Sequence, residues 1–83
     1  MEKKETIRQF IIEYFLSGSG EIKDDDSLFE AGIIDSLSLL ELIAFIEKTY
    51  GISISMSQIT ISNFDSINKI YKLIKGSKRK GIN

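Results

Sequence analysis

The sequence predicts a small all-α protein, a four-helix bundle with three longer helices, one short helix and a long loop between helices 1 and 2. Three segments carry apolar residues at the spacing of one helix face. One further segment alternates apolar and polar residues, but the sequence offers no second strand to pair with it. The length of 83 residues fits a single domain.

The first helix is predicted over residues 3–16. Its apolar side chains recur at helical spacing and form one stripe, which contains Ile7, Phe10, Ile11, Tyr14 and Phe15. We interpret this stripe as the side of the helix that faces the core. The residues at 17–20, Ser-Gly-Ser-Gly, end the helix because they tolerate positive φ angles.

The first loop is predicted over residues 17–34. Its acidic run at 24–26 lacks the spacing and the glycine of a calcium-binding loop, so we interpret the run as a solvated turn. Ser27 and Glu30 have the spacing of a capping box, which predicts one helical turn over residues 28–31. Four apolar residues are expected to anchor this loop to the core: Leu28, Phe29, Ile33 and Ile34.

The second helix is predicted over residues 36–50, with Asp35 as its N-cap and Gly51 at its end. At about 100° per residue, apolar side chains cover most of its circumference. A helix that is apolar almost all round is surrounded by neighbours, so we place it at the centre of the bundle. In so small a domain, part of this apolar surface is expected to remain for a partner or a cargo.

The segment after the second helix is predicted to be an extended loop followed by a short helical turn over residues 56–61. Ser55 or Ser57 can cap this turn, and its apolar residues are expected to face inward: Met56, Ile59 and Ile61. The last helix is predicted over residues 66–75 and begins at the cap Asp65-Ser66. Its inward stripe contains Ile67, Ile70, Tyr71 and Ile74, and Phe64 is expected to pack beside it.

The charges divide the chain into two parts. The first 74 residues contain all twelve acidic residues and seven of the eleven basic ones, so the end of the chain is basic. We assign residues 1–75 to the folded domain and residues 76–83 to a flexible basic tail. An acidic body disfavours nucleic acid as a partner.

The composition excludes several classes of function. The sequence has no His and no Cys, which removes thiol nucleophiles, histidine acid–base pairs and ordinary zinc sites. The carboxylates and the Ser and Tyr hydroxyls that remain are not convincingly paired, so we expect a protein without catalytic residues and without a metal site. No apolar run approaches the ~18 residues of a membrane span, and the charged N-terminus does not look like a signal peptide. We predict a cytoplasmic monomer.

Ser36 is the polar side chain best placed for chemistry. With Asp35 as the N-cap, it occupies the first helical position, where a partial positive charge favours a phosphoryl group. Asp35 would repel the added negative charge unless a cation bridged the two groups. No histidine or lysine adjoins Ser36 as a base, so any modification must come from another enzyme. From these residues alone, an ordinary polar residue at a helix start is the simpler interpretation.

The segment 32–37, Gly-Ile-Ile-Asp-Ser-Leu, resembles the signature of acyl and peptidyl carrier proteins. The resemblance covers roughly residues 5–75, since further matching segments lie at 26–30, 40–43, 46–47, 51–54 and 63–67. It implies a carrier that holds acyl or aminoacyl intermediates as thioesters on a 4′-phosphopantetheine arm attached to Ser36. A phosphopantetheinyl transferase would attach the arm from coenzyme A with magnesium, and Asp35 would assist this metal-dependent step.

The same resemblance implies that other enzymes dock on the second helix and that the chain itself is not an enzyme. These partners would be the transferase, an acyl- or aminoacyl-loading ligase, and downstream synthase or transferase enzymes. The partner-binding residues are predicted to be Leu37, Leu39, Leu40, Glu41, Ala44 and Glu47.

This helix is less acidic than that of fatty-acid carriers. We therefore favour a specialised amino-acid, peptide, polyketide or fatty-acid-type pathway over housekeeping fatty-acid synthesis. The alternative is a helical adaptor that binds a partner through the apolar face of the second helix without a prosthetic group.

Overall fold

The computed structural model describes residues 3–77 and is a bundle of four α-helices. The elements are α1 (Lys3–Phe15), α2 (Ser36–Tyr50), a 3₁₀ turn (Met56–Gln58), α3 (Ile61–Phe64) and α4 (Ile67–Gly76). Three of these helices are longer and one is short, and no strand forms within residues 3–77, so the predicted fold class is confirmed. None of the described helices is long and apolar enough to cross a membrane. Most of the predicted tail, residues 78–83, lies outside the described residues.

The core is built from one face of each longer helix, and α4 packs against both α1 and α3. Its fully buried aliphatic side chains on the helices are Ile7, Ile11, Leu42, Ile46, Ile67 and Ile70. Phe64 is the buried residue of α3 and is 0% exposed. A helix of four residues has too few hydrogen bonds to be stable alone. We infer that burial of Phe64 holds α3 in place.

The predicted stripe of α1 faces the core except at Tyr14. Ile7 and Ile11 are fully buried, and the Phe10 ring stacks on Phe45 of α2 with its centroid 3.7 Å away. Tyr14 is 56% exposed, so its predicted inward orientation is wrong. Its hydroxyl instead donates a hydrogen bond to Glu41 Oε2 at 3.2 Å, which links α1 to the surface of α2.

The acidic run of the first loop is bound to the bundle more firmly than a solvated turn would be. Arg8 donates to the Ile22 carbonyl at 2.8 Å and to Asp24 Oδ1 at 2.6 Å. Asn68 of α4 donates its side-chain amide to Asp25 Oδ1 at 2.7 Å. The early part of the loop is therefore bound to both α1 and α4. The local sequence pattern did not predict these contacts.

The segment after α2 reverses part of the predicted inward pattern. The extended residues Ile52 and Ile54 are buried, whereas Met56 is 84% exposed and Ile61 is 61% exposed. The prediction that Met56 and Ile61 face inward is therefore wrong, and only Ile59 is half-buried. Alternate residues of the extended segment supply core contacts here, and the single predicted turn is divided into the 3₁₀ turn and α3.

Candidate functional site

Ser36 is the first residue of α2, and its side chain is exposed. The N-terminus of a helix carries a partial positive charge, because its first N–H groups have no partner within the helix. The preceding residue, Asp35, has extended backbone angles and is the N-cap, as predicted. The structure therefore presents the Ser36 hydroxyl to solvent at a position that tolerates added negative charge.

Asp35 is both the cap of α2 and a negative charge beside Ser36. Its Oδ1 accepts a hydrogen bond from the Ser38 N–H at 2.8 Å, and its carbonyl accepts one from Leu39 N at 2.9 Å. The hydrogen bond from the Ser38 backbone lowers the pKa of the Asp35 carboxyl, so this exposed group is ionised at neutral pH. An ionised carboxylate next to a serine hydroxyl suits metal-assisted phosphoryl chemistry, because it can attract a divalent cation.

The turn that leads into Asp35 is held by the carbonyl of Leu28. This carbonyl accepts hydrogen bonds from Ile33 N at 3.0 Å and from Ile34 N at 3.2 Å. Leu28 and Ile34 are both buried, so the predicted anchoring of this loop in the core is confirmed. Gly32 takes a φ of 75° in this turn, a left-handed angle that favours glycine.

The predicted single helical turn over residues 28–31 is present as hydrogen-bonded turns and does not continue into a helix. Ala31 N donates to the Ser27 carbonyl, which is α-helical spacing, but Gly32 N donates to the Phe29 carbonyl three residues back. The capping contact itself is present, since Glu30 N donates to Ser27 Oγ at 3.2 Å. The short turn thus closes on Gly32 without extending into a helix.

Asp65 has a role that the sequence pattern did not reveal. The expected cap Asp65-Ser66 is made by Ser66 alone, whose hydroxyl accepts a hydrogen bond from Lys69 N at 3.1 Å. Asp65 Oδ1 instead accepts from Ser27 Oγ at 2.8 Å and from Phe29 N at 3.2 Å. These partners lie almost forty residues away in the chain, so no local signal identifies them.

The predicted partner-binding residues of α2 occupy different environments. Leu37 is 74% exposed, Leu40 is 60% exposed, and Ala44 is also exposed. These three residues are spaced for one side of a helix. Leu39, in contrast, is only 8% exposed and belongs to the core. The prediction that Leu39 contributes to a partner surface is therefore corrected, because little of its side chain remains to be contacted.

The two predicted acidic contacts of α2 both have partners within the domain. Glu41 is exposed and accepts the hydrogen bond from Tyr14, which raises the pKa of the Tyr14 hydroxyl. Glu47 is half-buried, and its Oε2 accepts from Ile54 N at 2.9 Å. Glu47 thus fastens the extended segment to α2, whereas Glu41 remains available at the surface.

Comparison with known proteins gives three consistent results. Residues 5–74 match the family described as "Phosphopantetheine attachment site". The D-alanyl carrier protein of Streptococcus suis strain 05ZYH33 is 37% identical over 70 residues, 84% of this chain and 87% of that protein. The D-alanyl carrier protein of Streptococcus equi subsp. zooepidemicus strain MGCS10565 is 33% identical over 75 residues, 90% of this chain and 94% of that protein.

A solved structure shares the fold as well. One chain in a crystal structure described as that of an FAD-dependent dehydrogenase matches this chain with a TM-score of 0.72 and 33% sequence identity. The match covers 80% of this chain and 94% of that chain, so the two chains are of similar length.

Proposed function

Because the chain belongs to the phosphopantetheine-attachment family of acyl and peptidyl carrier proteins, we propose that Ser36 is the residue to which 4′-phosphopantetheine is attached. Members of this family are non-catalytic carriers on which other enzymes act. The observation that carries the proposal is the exposed Ser36 hydroxyl at the N-terminus of α2, beside Asp35. When attached, the group supplies the thiol that the polypeptide lacks and holds the cargo as a thioester.

The residues around Ser36 fit the attachment of a phosphate-linked group. The N-terminal end of α2 favours the negative charge of a phosphodiester. We propose that the ionised carboxylate of Asp35 helps to hold magnesium while the transferase acts, which relieves the repulsion between Asp35 and the incoming phosphate. Its hydrogen bond to Ser38 N keeps this carboxylate at the start of the helix.

We propose that the cargo is a D-alanyl group. The support is the set of relatives named D-alanyl carrier proteins, which are 33–37% identical over most of this chain. This proposal selects one cargo, whereas the sequence left amino-acid, peptide, polyketide and fatty-acid-type pathways open. The loading partner would then be a ligase that activates D-alanine.

The cargo is tested by intact mass spectrometry after two incubations. The first contains coenzyme A, magnesium and a promiscuous phosphopantetheinyl transferase, which attach the arm. The second contains ATP, an amino acid and a D-alanine-activating ligase. D-alanine is expected to give a second gain in mass that hydroxylamine removes, because hydroxylamine cleaves thioesters. L-alanine is the matched control and is expected to give little gain. Equal loading of both amino acids would contradict D-alanyl specificity and leave the role of Ser36 standing.

We further propose that partner enzymes contact a docking surface made up of Leu37, Leu40, Glu41 and Ala44 on α2. Leu37 and Leu40 are large apolar side chains left in water, which is typical of surfaces that a partner covers. They lie within two turns of Ser36, so an enzyme bound there has the hydroxyl within reach. Leu39 is left out because it is buried, and Glu47 because it is half-buried and bound to Ile54 N, whereas Glu41 is exposed.

Replacing Leu40 with serine is expected to lower kcat/KM for arm attachment by about tenfold, which corresponds to loss of roughly 1.4 kcal/mol of contact with the transferase. The measurement is the initial rate of the gain in mass at several carrier concentrations. Lys72→Ser, at an exposed position of α4, is the control and is expected to keep the wild-type rate. A Leu40→Ser rate equal to that of the wild type would remove Leu40 from the docking surface.

A further inference from the structure

Asp65 binds three consecutive residues of the first loop. Its Oδ1 accepts hydrogen bonds from Ser27 Oγ at 2.8 Å and from Phe29 N at 3.2 Å, and its carbonyl accepts from Leu28 N at 2.7 Å. Ser27 Oγ also accepts from Glu30 N, so the proton and a lone pair of this hydroxyl are both used. One residue between α3 and α4 therefore holds the first part of the turn that precedes α2.

This turn is hydrogen-bonded to the residues that lead into Asp35, the residue before Ser36. The N–H of Leu28 donates a hydrogen bond to the main-chain carbonyl of Asp65. The carbonyl of Leu28 in turn accepts hydrogen bonds from Ile33 N and Ile34 N. Ile34 is buried and is followed directly by Asp35, the N-cap of α2. Two successive hydrogen-bond steps, the first made by the main-chain carbonyl of Asp65, thus connect this residue with the chain that enters α2. The Asp65 carboxylate holds Ser27 and Phe29, the residues on either side of Leu28.

Asp65 is itself held on both sides. Phe64 before it is fully buried, and Ser66 after it is 4% exposed and caps α4. The residue therefore has a fixed place relative to the core, which suits an anchor. The other hydrogen bonds between the loop and the helices, made by Ile22, Asp24 and Asp25, hold residues further from Ser36 along the chain.

We propose that Asp65 is a positioning residue for the attachment of 4′-phosphopantetheine to Ser36, an inference that rests on the function proposed above. Without its carboxylate, Ser27 Oγ and Phe29 N lose their acceptor, and only the main-chain hydrogen bond from Leu28 N to Asp65 remains, so the turn that fixes Ile33 and Ile34 loosens. A displacement of about 1 Å at a reacting group can cost on the order of a hundredfold in rate. Asp65 itself touches neither the arm nor the transferase in this proposal.

The test compares Asp65→Ala with Asp65→Asn, because asparagine keeps a side-chain oxygen that can accept both hydrogen bonds. For arm attachment followed by intact mass, Asp65→Ala is expected to lower kcat about tenfold and to leave KM within about twofold, since the docking surface is unchanged. Asp65→Asn is expected to restore kcat to within about threefold of the wild type. Ile70→Val, in the buried face of α4, is the control that lowers stability without removing a side-chain hydrogen bond to the loop.

The outcomes separate this inference from the function on which it rests. A wild-type chain that gains no mass would overturn the proposed function. If the wild type gains the mass of the arm, two results would overturn the positioning role alone. One is an unchanged kcat in Asp65→Ala, and the other is an equal loss of kcat in Asp65→Ala and Ile70→Val.

Amide chemical shifts give a second readout at a temperature where each variant is folded. Asp65→Ala is expected to shift the amide signals of Ile33, Ile34 and Ser36, and Asp65→Asn is expected to restore them. Should Asp65→Ala fail to fold, Ser27→Ala is the second variant, which removes one of the two hydrogen bonds to the Asp65 carboxylate together with the bond from Glu30 N. It is expected to shift the same signals and lower kcat about threefold. Shifts confined to residues 27–29 in the folded variant would overturn the inference.

Discussion

Ser36→Ala is expected to abolish every gain in mass when the chain is incubated with coenzyme A, magnesium and a promiscuous phosphopantetheinyl transferase. The hydroxyl oxygen of Ser36 is the atom that would form the phosphodiester, and alanine has no such atom. The fold should be unaffected, because Ser36 is exposed and the cap from Asp35 is made to the Ser38 backbone. Circular dichroism of the variant checks this point.

Ser53→Ala is the matched control for this prediction. Ser53 is also exposed, but it lies in the extended segment after α2 and not at a helix N-terminus. We expect the same gain in mass as in the wild type, at the same rate. If Ser36→Ala gained the mass of the arm, the attachment site would lie at another hydroxyl and the proposed role of Ser36 would be wrong.

Phe64→Ala is expected to lower the free energy of unfolding by about 3–5 kcal/mol, the usual cost of truncating a buried phenylalanine. A domain of this length has a total of only about 4–12 kcal/mol, so the variant should lose a large fraction of its stability. Loss of the Phe64 ring also removes the contact that holds α3, which is too short to persist alone. Urea denaturation followed by circular dichroism measures the change.

Ile61→Ala provides the comparison for Phe64→Ala within the same helix. Ile61 begins α3 but is 61% exposed, so truncation creates no cavity. We expect a change in the free energy of unfolding within about 0.5 kcal/mol. Similar losses in the two variants would mean that Phe64 does not anchor α3 in the manner described.

The sequence by itself determined the three longer helices and the place of Ser36. The predicted first and second helices, residues 3–16 and 36–50, agree with α1 and α2 to within one residue at either end. Such bounds are readable because caps and apolar periodicity are local properties of the chain. For the same reason, Asp35 as N-cap and Ser36 as the first helical residue followed directly from their order in the sequence.

Periodicity failed where a segment was short or where apolar residues were too many. Over residues 56–61 a few apolar side chains fit more than one orientation, and the structure exposes both Met56 and Ile61. On α2 the apolar arc is so wide that the pattern could not distinguish the core residue Leu39 from the exposed Leu40. Which of them faces the core depends on where the neighbouring helices pack, and that packing is a tertiary property.

The tertiary structure alone decided how the loop before Ser36 is held against the helices. Asp65 reads locally as part of a helix cap, yet its carboxylate binds Ser27 and Phe29 across 38 and 36 residues of chain. Likewise, the sequence predicted that Asp24 belongs to a solvated acidic turn, yet its carboxylate forms an ion pair with Arg8 of α1. A hydrogen bond between distant residues leaves no periodic trace in the sequence, because it depends on the folded path that brings its donor and acceptor together.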